Sequence, residues 1–294
     1  MSTAPNFESL LYEVSDGVAT VTLNRPAAMN ALTMTMRREL QQVIDVTDAD
    51  DAVRAVIFTG AGRAYCAGFD LSGGGGAFKA DSAERLAAAA KNGEAPGRDG
   101  GGILALRFFD SKKPLIGAIN GAAVGIGSSM LLPMDVRLAS TQARFGFVFA
   151  RRGIVPDACA SWFLPRVVGI SRALEWTATG RLFPASEALA GGLVSEICEP
   201  DALLGRARAI AREIADNAAP VSVALTRQLM WRMLSADHPI EANRLESQAL
   251  QSRGASADAR EGVTAFLEKR QAVFPCGVAN DMPDFYPWWE EPEY

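Results

Sequence analysis

The stretch 114–134 constrains this chain more than any other, because it contains no Asp, Glu, Lys or Arg. An uncharged run of that length belongs either in a membrane or in a protein interior. Four glycines, two prolines, one asparagine and two serines interrupt it. A spanning helix of about 20 residues is more uniformly apolar than this. The run therefore reads as a buried strand followed by a buried helix, and no membrane association is expected. Leu115-Ile116-Gly117-Ala118-Ile119 is the strand, Asn120-Gly121 closes it, and 128–132 is the helix.

The same order of strand, turn and helix surrounds it. Val18–Leu23 is rich in β-branched residues, follows Asp16-Gly17 and ends at Asn24-Arg25-Pro26. A helix follows with Thr33 as N-cap and Met36, Leu40, Val43 and Ile44 on one face. Ala55-Val56-Ile57-Phe58-Thr59 is another strand, closed by Gly60-Ala61-Gly62, and 136–139 is a further one. Between 60 and 114 lie a four-glycine run at 73–76, an alanine-rich helix at 82–91 and a Gly-rich loop at 97–102. Together these read as a mobile surface segment of the kind that forms a lid. After Ser171 the chain turns helical, at 171–179, 186–190, 201–217, 221–234, 240–252 and 257–270. Strands alternating with helices and then helices alone predict an α/β core with a helical appendage. We divide the chain into a core at 1–200, a helical region at 201–275 and an acidic aromatic tail at 276–294, whose Phe, Tyr and Trp residues suit docking on a partner surface.

Composition narrows the chemistry. The single histidine, His238, precedes a proline at a helix start and excludes a His-rich metal site. The four cysteines form no C-x-x-C pair, so no metal site is expected, and they read as reduced thiols of a cytoplasmic protein. A formal charge of −5 without a sustained basic run argues against nucleic acid. Gly125-Ile126-Gly127 would be a dinucleotide fingerprint only with a third glycine at 130, where Met130 stands. No P-loop lysine and no G-x-S-x-G elbow is present.

Two strand-to-loop turns remain, Gly62-Arg63-Ala64-Tyr65-Cys66-Ala67-Gly68-Phe69-Asp70-Leu71 and Asn120-Gly121-Ala122-Ala123-Val124-Gly125-Ile126-Gly127. Both put small residues where a ligand can approach the backbone. Two backbone N–H groups converging there would make an oxyanion hole. Tight packing of strand on helix accounts for the same glycines, and the residues alone leave both readings open.

Several motifs in order carry a resemblance. They are Arg25-Pro26-Ala27-Ala28-Met29-Asn30-Ala31-Leu32, Cys66-Ala67-Gly68-Phe69-Asp70-Leu71, Asn120-Gly121 with Gly125-Ile126-Gly127, Phe145-Gly146 with Gly153-Ile154-Val155-Pro156, Ala190-Gly191-Gly192-Leu193-Val194, and Arg260-Glu261-Gly262-Val263 with Phe266-Leu267-Glu268-Lys269-Arg270. From about Tyr12 to Phe274 the chain resembles the crotonase (enoyl-CoA hydratase/isomerase) superfamily. The resemblance implies a spiral of ββα units with a helical C-terminal region that supports a trimer or a dimer of trimers. It implies an acyl-CoA thioester as substrate, with no further cofactor, and chemistry through a thioester enolate in fatty-acid or related acyl-CoA metabolism.

By position, the resemblance places the two oxyanion donors at the N–H groups of Phe69 and Ile126. It runs the substrate past Ala27, Met29, Ala64, Ala67, Gly68, Asp70, Leu71, Gly125, Phe149 and Pro156. Phe266 and Lys269 would reach the CoA of a neighbouring subunit. The two glutamates that activate water in the family's hydratases fall at Ser129 and Phe149. One carboxylate stands at a family active-site position, Asp157, and Asp157-Ala158-Cys159-Ala160-Ser161 resembles the peroxisomal-type Δ3,Δ2-enoyl-CoA isomerases. A single carboxylate suffices for a 1,3 proton shift. A helix cap explains the same Pro-Asp pair, and an aspartate nucleophile is a further alternative. The expectation is an enoyl-CoA isomerase, a lyase-type hydratase being the alternative. A non-catalytic acyl-CoA or partner-binding protein is a third reading, against which the retained Asp157 argues.

Overall fold

The computed structural model describes residues 6–72, 74, 86–87, 90–91 and 93–294. The glycine run at 73–76 and the helix at 82–91 therefore lie largely outside the described residues. Two sheets form the frame. The first contains, in spatial order, β1 (Leu10–Ser15), β2 (Val18–Leu23), β3 (Ala55–Gly60), β5 (Leu115–Ile119), β7 (Val136–Ser140) and β10 (Glu196–Cys198). Only β1 and β2 pair antiparallel. The second sheet contains β4 (Ala64–Cys66), β6 (Ala122–Val124), β8 (Arg144–Gly146) and β9 (Phe183–Pro184), with only β8 and β9 antiparallel.

The path repeats. Each of β3, β5 and β7 turns within a few residues and continues as β4, β6 or β8 in the second sheet. The helices are α1 (Met34–Ala49), α2 (Gly100–Phe109), α3 (Ile126–Ser129), α4 (Ala160–Val168), α5 (Ile170–Thr179), α6 (Ala185–Ala190), α7 (Pro200–Asn217), α8 (Pro220–Arg232), α9 (Pro239–Gly254) and α10 (Ala257–Glu268). One of them follows each strand pair, as the expected ββα spiral requires. The crossing between sheets depends on glycine and asparagine. A Cβ on Gly121 would stand 2.1 Å from the carbonyl oxygen of Arg63. Asn120 joins the two turns, accepting from the Gly60 N–H at 3.0 Å and donating to the Gly62 carbonyl at 2.9 Å.

All five residues of β5 are buried, as a parallel strand covered on both faces should be. On one side lie α1 and α2, through Met36, Leu40, Ile44, Leu104 and Phe108. The Thr33 hydroxyl caps α1 by accepting from the Met36 N–H at 3.1 Å, worth about 1 kcal/mol. On the other side lies α7, whose Leu203, Ala207 and Ala211 pack on Ala55, Ile57, Ile116 and Leu138. Small residues at a spacing of four let this helix lie close to the sheet, so α7 shares the core of 1–200.

Some segments differ from the sequence reading. α2 begins at Gly100, inside the expected 97–102 loop, because Asp99 caps it. α3 occupies 126–129 rather than 128–132, since the Ser128 and Ser129 N–H groups bond back to the Gly125 carbonyl. β4, β6 and β8 are three residues each, too short to show a period. The tail docks on its own chain: Val278 is buried beside Val221, Ala224 and Ala249, with Phe285, Tyr286 and Trp288 around it. The Arg232 guanidinium stacks on Trp289, 3.2 Å from the ring centre. His238 caps α9, its Nδ1 accepting from the Ile240 N–H at 3.1 Å.

Candidate active site

The first turn is shaped by the segment before α1. Met29 and Asn30 are left-handed, with φ of 51° and 56°. Asn30 is buried and takes the Arg25 N–H on its oxygen while donating to the carbonyls of Ala61 and Ala64. The Ala67 N–H donates to the Met29 carbonyl at 3.0 Å. Leu32 then bridges to the strand-like stretch at Phe69: its N–H donates to Gly68 at 2.8 Å, and its carbonyl accepts from Asp70 at 3.0 Å. Arg25 pairs with Asp70 at 2.9 Å. The backbone around Phe69 is thus held from both sides.

The second turn sits against the first. Gly125 has φ of +56° and donates its N–H to the Gly146 carbonyl at 2.8 Å. A Cβ on Gly127 would stand 2.1 Å from the Cys66 carbonyl oxygen, and one on Gly125 would meet the Gly68 Cα at 3.9 Å. At 127 only glycine allows this approach, and at 125 it is the positive φ that favours glycine. Ile126 is the first residue of α3, and an N–H at that position has no acceptor within its own helix.

Phe69 and Ile126 both line two adjoining cavities, of about 300 Å³ and about 90 Å³, and so do Ile154 and Asp157. The smaller one is closed by Ala67, Gly68, Leu71, Gly125 and Phe149. Asp157 stands at the junction. Its Oδ1 is sealed from solvent and has no hydrogen-bond partner among the described residues. Burial pushes its pKa up to about 7, and the negative charge of Asp99 pushes the same way; the Ser129 hydroxyl pulls against them. Ala158 and Cys159 follow in left-handed conformations, with φ of 52° and 56°. Two consecutive non-glycine residues there cost about 1 kcal/mol or more each. Asp99 secures the strained turn, accepting the Ala158 N–H at 2.8 Å along with those of Gly101 and Gly102.

The predicted residues are distributed unevenly. Ala64 is buried in β4, Ala27 is exposed on a short 3-10 turn, and Met29 is partly buried beside it. Pro156 adjoins Asp157 but lines neither cavity. Phe266 is 81% exposed on α10, Lys269 ends that helix, and neither borders these cavities within the chain. Ser129 is fully buried, with its hydroxyl 3.3 Å from the Gly125 carbonyl, and Phe149 is 5% exposed. Four charged wall residues were not anticipated: Arg37, Glu94, Arg98 and Asp99. Asp99 was legible as an N-cap before Leu104 and Phe108, which are spaced by one helical turn. Arg37 lies three and seven residues before Leu40 and Ile44, a charge on the apolar face of α1.

Residues 13–276 match the family model described as enoyl-CoA hydratase/isomerase. The chain belongs to this family, within the crotonase superfamily. It is 44% identical over 261 residues to an enoyl-CoA hydratase of Alternaria alternata, covering 88% of this chain and 83% of that one. It is 33% identical to the 1,2-epoxyphenylacetyl-CoA isomerase of Escherichia coli, covering 91% of this chain and 98% of that one. The crystal structure of an enoyl-CoA hydratase from Bacillus anthracis superposes with a TM-score of 0.81 at 30% identity, covering 91% of this chain and 99% of that one. Among the described residues no helix is long and apolar enough to cross a membrane.

Proposed function

We propose that this protein is an enoyl-CoA isomerase in which Asp157 is the single base. The observation that carries the reading is the Asp157 carboxyl, largely desolvated and with one oxygen sealed and unpartnered among the described residues, sharing a cavity with Phe69 and Ile126. The carboxylate takes a proton from C2 of a 3-enoyl thioester. The electron pair moves onto the thioester oxygen, where the N–H groups of Phe69 and Ile126 stabilise the enolate, each by about 3 kcal/mol. The same carboxyl then returns the proton to C4, leaving a 2-enoyl thioester with no net change of atoms. A base with a pKa about 7 is suited to both halves of this shuttle near neutral pH. Phe149 cannot transfer a proton, and the Ser129 hydroxyl serves Asp157 as a neighbour that favours its charged form.

Water addition is a second reading, favoured by the hydratase names of several relatives and by Asp99, a second carboxylate on the cavity wall. Against it, the oxygens of Asp99 are engaged by three backbone N–H groups. Ultraviolet monitoring of purified protein with 3-enoyl-CoA and with 2-enoyl-CoA separates the two. Consumption of the 2-enoyl thioester by hydration, with no shift of the 3-enoyl one, would replace isomerase by hydratase.

The assembly we propose is a trimer or a dimer of trimers. Val263, Phe266 and Leu267 on α10 are 62%, 81% and 73% exposed, apolar surface that suits a second copy carrying bound CoA. Light scattering that returned a monomer at micromolar concentration would remove this part of the reading.

A further inference from the structure

The tail lies beyond the family match, which stops at 276, and its course leads back to the substrate cavity. Trp289 stacks on the Arg232 guanidinium at the end of α8. Arg232 in turn donates to Asp110, the residue that follows α2, at 2.6 Å. Five steps beyond Trp289, the centre of the Tyr294 ring lies 4.8 Å from the guanidinium of Arg98, two residues before α2. The tail therefore runs the length of α2. Its ten helical residues are about 15 Å long, and five extended steps reach about 17 Å, so this stretch has little slack.

Arg98 belongs to the segment 93–98, which walls the cavity of about 300 Å³ through Glu94, Gly97 and Arg98. None of these three borders the smaller cavity, so this wall lies away from the junction where Asp157 stands. Among the described residues, the backbone N–H groups of the segment bond only within local turns, Gly93 to Ala90 and Arg98 to Ala95. Its side chains hold it at two points, Glu94 on buried Arg37 at 2.6 Å and Arg98 on Tyr294. One of the two tethers of this wall is thus the tail.

We infer that the tail limits the length of acyl group that the cavity accepts, with Tyr294 as a specificity-determining residue acting through Arg98. The inference rests on the acyl-CoA reading above and deepens it. With the thioester oxygen at Phe69 and Ile126 and C2 at Asp157, the acyl group extends into the larger cavity, toward the 93–98 wall. A group that overfills the cavity must push Arg98 outward and part it from Tyr294. The tail cannot follow far, because Trp289 pins it at Arg232. A short group never reaches this wall.

Calorimetric titration of the full chain with saturated acyl-CoA thioesters of increasing length tests this. In wild type, affinity should climb about fourfold per buried carbon and then fall once the group overfills the cavity. The decisive readout is the ratio of affinities between the first overlong thioester and the last fitting one. In Tyr294→Ala this ratio should rise about two- to fivefold, the worth of one exposed cation–π contact. Tyr294→Phe keeps a ring over Arg98 and should keep the wild-type ratio. Trp289→Ala frees the strap at its other anchor and should raise the ratio at least as much as Tyr294→Ala. A ratio unchanged in Tyr294→Ala, or a wild-type series without a fall, would overturn the inference. So would a change in Tyr294→Ala that is equal at every length, the mark of a general loss of structure. If no thioester bound wild type, the acyl-CoA reading itself would fall, a different failure. Tyr294 is 76% exposed, so replacing it leaves the core intact, and that variant decides should Trp289→Ala not fold.

Discussion

The segment that opens α2 and the segment just before α4 face one cavity, and each carries an aspartate. Asp99 accepts three backbone N–H groups, from Gly101, Gly102 and Ala158. Asp157 keeps one oxygen sealed and without a partner among the described residues. The first carboxylate is fully engaged in holding backbone. The second is held in place by that backbone, with desolvation outweighing the Ser129 hydroxyl, so its charged form is disfavoured. The same side chain thus serves as a brace in one segment and as a base in the other, and what separates them is the supply of donors. Burial with few donors brings the proton uptake of Asp157 to near neutral pH.

Removing the Asp157 carboxyl should have the largest effect. Asp157→Asn keeps shape but cannot accept the proton, so isomerisation of 3-enoyl-CoA should fall by about 10³-fold or more, with acyl-CoA binding retained. A comparable rate in the Asn variant, measured by the same ultraviolet assay, would reduce Asp157 to a structural group and erase the contrast with Asp99.

The same variant sharpens the contrast through stability. The folded pKa of Asp157 is about 7, above the 3.8 of the free side chain. Below about pH 4 both folded and unfolded states are protonated, and the group costs nothing. As pH rises from about 4 to 7 the unfolded state gives up its proton first, so stability is lost across that window, by about 4 kcal/mol at most. Asp157→Asn removes this loss. It should melt above wild type at pH 8, with the gap closing toward pH 4. A variant that melts lower at pH 8 would mean that the carboxyl is engaged after all.

Asp99→Ala should act in the opposite sense. It removes the cap of α2 and leaves the Ala158 N–H without its acceptor beside two left-handed residues. The combined cost is about 1–3 kcal/mol, a fall of several degrees in melting temperature for a chain of this size. Unchanged melting would show that the strained turn at Ala158 is held by other means.

The sequence made the brace harder to read than the base. Asp157 follows a Gly-Ile-Val-Pro run matching a motif, so its position could be placed by resemblance. Asp99 sits beside three glycines, which read as loop; the helix they begin is set by capping and by burial of Leu104 and Phe108 against β3 and α1. Longer elements were legible because their periods are: β2 and β5 match their predicted spans, and the last helices begin within a residue of expectation. β4, β6 and β8 were not, since three residues carry no alternation and their pairing is fixed by Gly121 and Asn120 crossing between sheets. The approach of Gly127 to Cys66 was foreshadowed by small residues in both turns. The pairing of Arg37 with Glu94 joins residues far apart in the chain, and no local pattern announces it.

The smallest effect isolates how the two aspartates speak to each other. The rate on 3-enoyl-CoA should follow the ionised fraction of Asp157, rising tenfold per pH unit below about 7 and levelling above it. Burial is the larger cause of that position, and the charge of Asp99 is the next. Asp99→Asn deletes the charge but keeps an amide oxygen that can accept backbone N–H groups. The midpoint should therefore move to lower pH by a fraction of a unit, with the plateau rate little changed. Ionic strength offers a check on the same interaction. Asp99 is exposed to solvent, so salt screens its share of the displacement, and the wild-type midpoint should drift to slightly lower pH between low and high salt. A midpoint that stays at wild-type position in Asp99→Asn would assign the whole displacement to burial. One that moves up would mean that the amide had lost its backbone donors and let the Asp157 turn relax.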